Sequence, residues 1–141
     1  MAVSMRPDNQ VQRRSTITWR SGLLVALAAA TGVACAVHRR VSFVRDVYPI
    51  LEENCLHCHT PPDGEGYKRV GLNMESWETL RQGTVYGPVI VPGDSSRSIL
   101  NMLVEGRADR SLRMPHKQKE PLPADEIETL RLWVEQGAKN N

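Results

Sequence analysis

Cys55-Leu56-His57-Cys58-His59 places two thiols and two imidazoles in five consecutive positions. Three chemistries use such a set: a tetrahedral zinc site, a dithiol redox centre, or a covalently attached haem. Zinc asks for four ligands. Cys55, Cys58 and either His59 or His57 give three, and distant His116 would have to complete the set, because the remaining cysteine, Cys35, lies in an apolar N-terminal segment. A dithiol centre asks for a strand before the motif and a packed helix after it. Here a helical pattern precedes, and Thr60-Pro61-Pro62 comes after. The C-x-x-C-H spacing is that of c-type haem attachment. Two thiols three residues apart can each form a thioether to one haem vinyl group, and the next residue places an imidazole beneath the iron. On this reading His59 is the proximal ligand through Nε2, with Nδ1–H held by a backbone carbonyl.

An iron bound by His59 leaves its opposite face to be filled. Met114, in Arg113-Met114-Pro115-His116, lies 55 residues after His59 in a long polar loop. A thioether there would make a His/Met site and raise the reduction potential. His116 is the rival, while His57 lies inside the attachment loop and cannot swing to the other face. Met74 and Met102 stand at helical positions and read as packing. Trp77, Tyr86, Arg107 and Arg113 are candidate donors to haem propionates, and Lys117 and Lys119 a candidate docking rim.

These residues need elements to hold them. The 141 residues suffice for one domain of about 100 residues plus a smaller segment. Hydrophobic content is 40% with a single Phe, so a buried prosthetic group would help to complete the core. Residues 1–36 carry a charge of +3 and residues 37–141 a charge of −1, leaving no basic stripe for nucleic acid. Residues 1–20 form a basic tail. Ser21–Val37 then runs seventeen residues without a charge, about 25 Å as a helix. Arg6, Arg13, Arg14 and Arg20 before it suit a cytoplasmic N-terminus. The segment reads as a membrane anchor, as a signal peptide cut after Ala34-Cys35-Ala36, or as a lipoprotein signal ending at Cys35. Each places the C-terminal domain outside the cytoplasm, on the periplasmic side of a bacterial inner membrane.

Residues 38–42 read as a linker to a domain at 43–138. Phe43, Val47, Ile50 and Leu51 share one helical face, with a kink or a helix start at Pro49. The stretches "PPDGEG" and "GYKRVGL" read as loop. A short helix is expected over Met74–Gln82, capped by Asn73, and another from Ser95 or Ser96 to Gly106 with Ile99, Met102 and Leu103 inward. The last, Ala124–Gln136, puts Ile127, Leu130 and Val134 on one face beside Trp133. The expectation is an all-α domain of four helices with much ordered loop.

The runs "FVRDVYPILEENCLHCHTPP", "GLNMESWETLRQG", "GPVIVPGDSSRSIL", "RMP" and "PLPADEIETLRLWVEQGA" together resemble class I cytochromes c, specifically the planctomycete-type single-haem domain of exported bacterial proteins. The resemblance implies one haem c held by Cys55 and Cys58, with His59 proximal and Met114 distal. It implies first and last helices crossing near the haem, with Leu51 against Trp133. Pro123 departs from it, since a Ser cap is common there. It also implies electron transfer without substrate turnover, to redox partner proteins or within a membrane respiratory complex. A haem-based sensor or catalyst would require an open or labile distal position.

Overall fold

Ser42 opens the first helical run, its hydroxyl accepting the Arg45 N–H at 3.3 Å while the Asp46 carboxylate accepts the Ser42 N–H at 2.8 Å. This reciprocal capping satisfies two donors that a helix start otherwise leaves bare. In this computed structural model, which describes residues 39–116 and 120–141, Phe43–Val47 forms a wide π-helical turn that runs directly into α1, Tyr48–Asn54. Pro49 accounts for the change of pitch. It has no N–H to give Arg45, and just before it the Val47 and Tyr48 amides reach back five residues, to Ser42 and Phe43. The expected kink is thus a change of winding, with Pro49 in the first turn of α1.

Four more α-helices come after it. The first, α2, Glu65–Val70, occupies a stretch expected to be loop. Glycine disfavours helix in the isolated chain. Bonds to the preceding segment override that preference: Tyr67 N–H reaches Cys58 O at 2.9 Å, and Gly64 N–H reaches Thr60 O at 2.9 Å. Gly71, at φ 71°, ends the helix in the left-handed conformation. Helix α3 spans Trp77–Gln82, shorter than expected. Its cap is Ser76, in a capping box with Thr79, and Asn73 instead takes the Glu75 N–H in a turn ahead of it.

Helix α4, Ile99–Val104, starts at the buried cap Ser98, after a turn in which Asp94 binds Ser96 and Arg97. Its inward residues are Leu100, Asn101 and Val104, whereas Ile99 is 45% exposed. The expected inward face was therefore wrong; apolar residues at 99, 100, 102, 103 and 104 encircle the helix, so periodicity could not choose a side. A 3-10 turn, Arg110–Leu112, interrupts the loop beyond it. Helix α5, Ala124–Glu135, buries Leu130, Trp133 and Val134. No strand occurs among the described residues; an isolated bridge joins Thr84 and Gly87.

The core gathers Phe43, Val47 and Leu51 from the first helical run with Leu72, Met74, Leu80, Val89 and Ile90 from the middle of the chain and the inner face of α5. Trp133 is 1% exposed, and its ring partner is Phe43 at 5.5 Å between centroids. Leu51 is fully buried in the same core. Residues flanking the two ends are laced together. Gln136 accepts the Val41 N–H and donates to Arg39 O, and Asn141 accepts the Phe43 N–H at 3.1 Å. The basic tail and the apolar segment Ser21–Val37, with Cys35, lie outside the described residues, as do Lys117 and Lys119. Among the described residues no helix is long and apolar enough to cross a membrane.

Candidate functional site

The last turn of α1 delivers Cys55. Its N–H still bonds to Leu51 O at 2.8 Å, and its own carbonyl accepts from both Cys58 N–H at 3.1 Å and His59 N–H at 2.9 Å. This tight turn puts Cys55, Cys58 and His59 at i, i+3 and i+4, one hydrogen-bonded turn apart. Two further bonds, each 2.9 Å, pin the end of the motif: Tyr67 N–H to Cys58 O, and Met74 N–H to His59 O. The motif is therefore held from behind by α1 and from the side by α2 and the approach to α3.

Both thiols are unpaired and half-buried. Burial, the Glu126 carboxylate and the neighbouring Cys58 push the Cys55 thiol up to about 12. Glu126 itself is raised by burial and by Glu53 and Asp125, and it accepts a hydrogen bond of 3.2 Å from Asn54, the residue before Cys55. A dithiol exchange centre needs a lowered thiol pKa; this environment does the reverse. Among the described residues no three His, Cys, Asp or Glu side chains gather as a metal-binding group.

His59 is 8% exposed. Burial lowers its pKa, the Leu72 backbone opposes the shift and His57 adds to it. The neutral ring is the form that binds metal. Its Nδ1 was expected to be fixed by a carbonyl, but although Leu72 lies near enough to influence the ring, Nδ1 makes no hydrogen bond of normal geometry. What faces the ring instead is Gly66, where a Cβ would stand 2.6 Å from Cε1. Gly64 backs the motif in the same way, for a Cβ built there would clash with Cys58 O. Neither glycine was recognised in the sequence as part of the site; the signal was the pair in "DGEG" directly after the motif.

Met114 is half-buried against the same core that Cys55 and Leu56 flank, and its N–H bonds to Leu103 O at 3.2 Å, so α4 positions it. His116 is exposed. Of the candidate propionate donors, two are engaged elsewhere. Trp77 Nε1 donates to Ala138 O at 2.8 Å. Arg107 donates to Glu105, Ser96 O and Ser95 O. Tyr86 is 84% exposed on the Thr84–Gly87 turn. Arg113, beside Met114, lies against Gly106 with no side-chain bond to the described residues. A cavity of about 510 Å³ borders the motif through Leu56, His57 and Thr60–Gly64, and another of about 350 Å³ lies at the joined ends of the domain.

Residues 55–118 match the family model described as Planctomycete cytochrome C. The match supports a c-type cytochrome-like domain. Its range opens at Cys55 and takes in His59 and Met114. No curated protein and no solved structure matches the chain. A cytochrome of this type implies covalently bound haem c, and the donor set of the cytochrome-like domain fits one. Thioethers form at the porphyrin edge while the imidazole binds at its centre. The three groups must therefore share a surface, and their i, i+3 and i+4 spacing on one hydrogen-bonded turn is compatible with that.

Proposed function

We propose that the domain is a monohaem c-type cytochrome that carries electrons, with Cys55 and Cys58 as the thioether residues, His59 as proximal ligand and Met114 as distal ligand. When bound, haem c supplies a one-electron ferric–ferrous couple. The observation that carries the reading is the single turn through which Cys55 O accepts both the Cys58 and His59 amides, which sets two thiols and a buried imidazole one turn apart.

Cys55 and Cys58 would anchor the group at its rim, so that its retention does not depend on the iron bond. His59, buried and kept neutral, would bind through Nε2. Met114, fixed at its backbone by Leu103 and bedded against the core, would close the other face and exclude an external ligand. His59 and Met114 would together leave a bound haem no coordination site for a substrate, which would favour a carrier over a catalyst. The uncharged run Ser21–Val37 supports attachment to, or export across, a membrane, with the domain on the periplasmic side.

Met114→Ala tests the ligation. The variant should keep its haem through denaturation, show a lower reduction potential, and bind carbon monoxide in the ferrous state. A variant with the spectrum, potential and carbon monoxide behaviour of the parent would remove Met114 from the site and leave His116 to be tested in its place.

A further inference from the structure

We infer that Gly66 is the positioning residue for the His59 imidazole, setting the plane of the ring through face-on contact; the inference rests on His59 being the haem ligand. A Cβ built on Gly66 would lie 2.6 Å from Cε1, 2.8 Å from Nε2 and 2.9 Å from Nδ1. Three nearly equal distances place that point above the ring face rather than beyond its edge. The backbone of α2 is therefore the wall against which the imidazole lies flat.

Nothing in the local conformation demands glycine there. Gly66 is absent from the positive-φ residues, and it stands in the first turn of a helix, where alanine is the better helix former. The contact supplies the reason. Neither partner can retreat. Tyr67 N–H to Cys58 O ties α2 to the motif, and Gly64 approaches so closely that a Cβ built on it would clash with Cys58 O and with Thr60 O. On the other side, the main chain of His59 is held by its N–H to Cys55 O and by Met74 N–H to its carbonyl. Only the side-chain torsions of His59 are left to yield, so an added methyl group must turn or tip the ring.

Ligand imidazoles are ordinarily oriented by a hydrogen bond from the second ring nitrogen. Here Nδ1 is buried without a bond of normal geometry. Steric contact on the ring face takes over that task. The plane of an axial imidazole decides how its π orbitals overlap those of the iron, so its rotation is visible in the ferric spectrum.

The holoprotein, first shown to be coloured on a denaturing gel so that failure of the haem reading is recognised separately, provides two tests. In the ferrous state, nuclear Overhauser contacts should join the Gly66 α-protons to His59 Hε1; their absence overturns the inference without any variant. Gly66→Ala should change the spread of g-values in the ferric electron paramagnetic resonance spectrum and lower the thermal midpoint, although alanine is the better helix former. Lys68→Ala, on the same helix but paired with Asp63 at the surface, should leave the g-values alone. A Gly66→Ala protein with unchanged g-values and a raised midpoint would make Gly66 an ordinary helix position and contradict the inference.

Discussion

At Asp46 and Glu126 the fold treats two carboxylates in opposite ways, and each stands at a joint that the site depends on. Asp46 accepts bonds from Arg45, from the Ser42 N–H and from Arg39, so its pKa is held well below the usual carboxylate range. A depressed native pKa contributes stability above the unfolded value of about 3.9, lost as pH falls below it. Asp46→Asn should cost about 1 kcal/mol at neutral pH, where it weakens the cap of the first helical run, and the difference should fade in acid. Glu126 is raised by burial and by Glu53 and Asp125. A raised acid pKa makes folding costlier as pH climbs through the carboxylate range. Glu126→Gln should therefore increase the thermal midpoint at pH 7, with the gain vanishing once the native acid is protonated in both states. Midpoints measured from pH 3 to pH 8 should give profiles of opposite sign for the two variants; parallel profiles would show that the environments are misassigned. Cys55, Cys58 and His59 are proposed from spacing alone, because attachment chemistry would dictate that spacing. Gly64 and Gly66 were not legible in the sequence, since close approach of two backbones leaves no pattern in one strand of letters.

Among elements, α1 and α5 were read well and α2 and α4 poorly, for physical reasons. The long helix α5 has a wide apolar stripe ending at Gly137, and periodicity identifies such a stripe directly. By contrast, α2 has six residues, no buried side chain, Gly64 as its cap and Gly66 in its first turn, so its local preference is for loop. Bonds to the attachment motif create it, which makes α2 a product of the site it supports. The pairing of the first helical run with α5 rests on Phe43, 5.5 Å from the Trp133 ring and 6.0 Å from that of Tyr48. Phe43→Ala should cost about 3–5 kcal/mol in chemical denaturation, while the haem stays covalently attached. A loss under about 1 kcal/mol, well below the usual cost of emptying a buried aromatic site, would mean that the packing at this crossing is dispensable.

For the whole molecule, an all-α domain was readable because short capped helices and proline-rich connections leave little room for a sheet. The number of helices was not readable, as α2 shows. The described helices hold the Cys55–His59 turn by its backbone and fix Met114 through its N–H to Leu103 O. A chain with a single Phe builds its core largely from Leu, Val and Trp, and a covalent group would add apolar surface for that core to pack on. That expectation is tested most directly by the mass of the denatured protein from cells able to mature c-type cytochromes. The account predicts a chain heavier by one haem after complete unfolding, with Cys55 and Cys58 both refractory to alkylation. A chain of unmodified mass in which both thiols alkylate would contradict it.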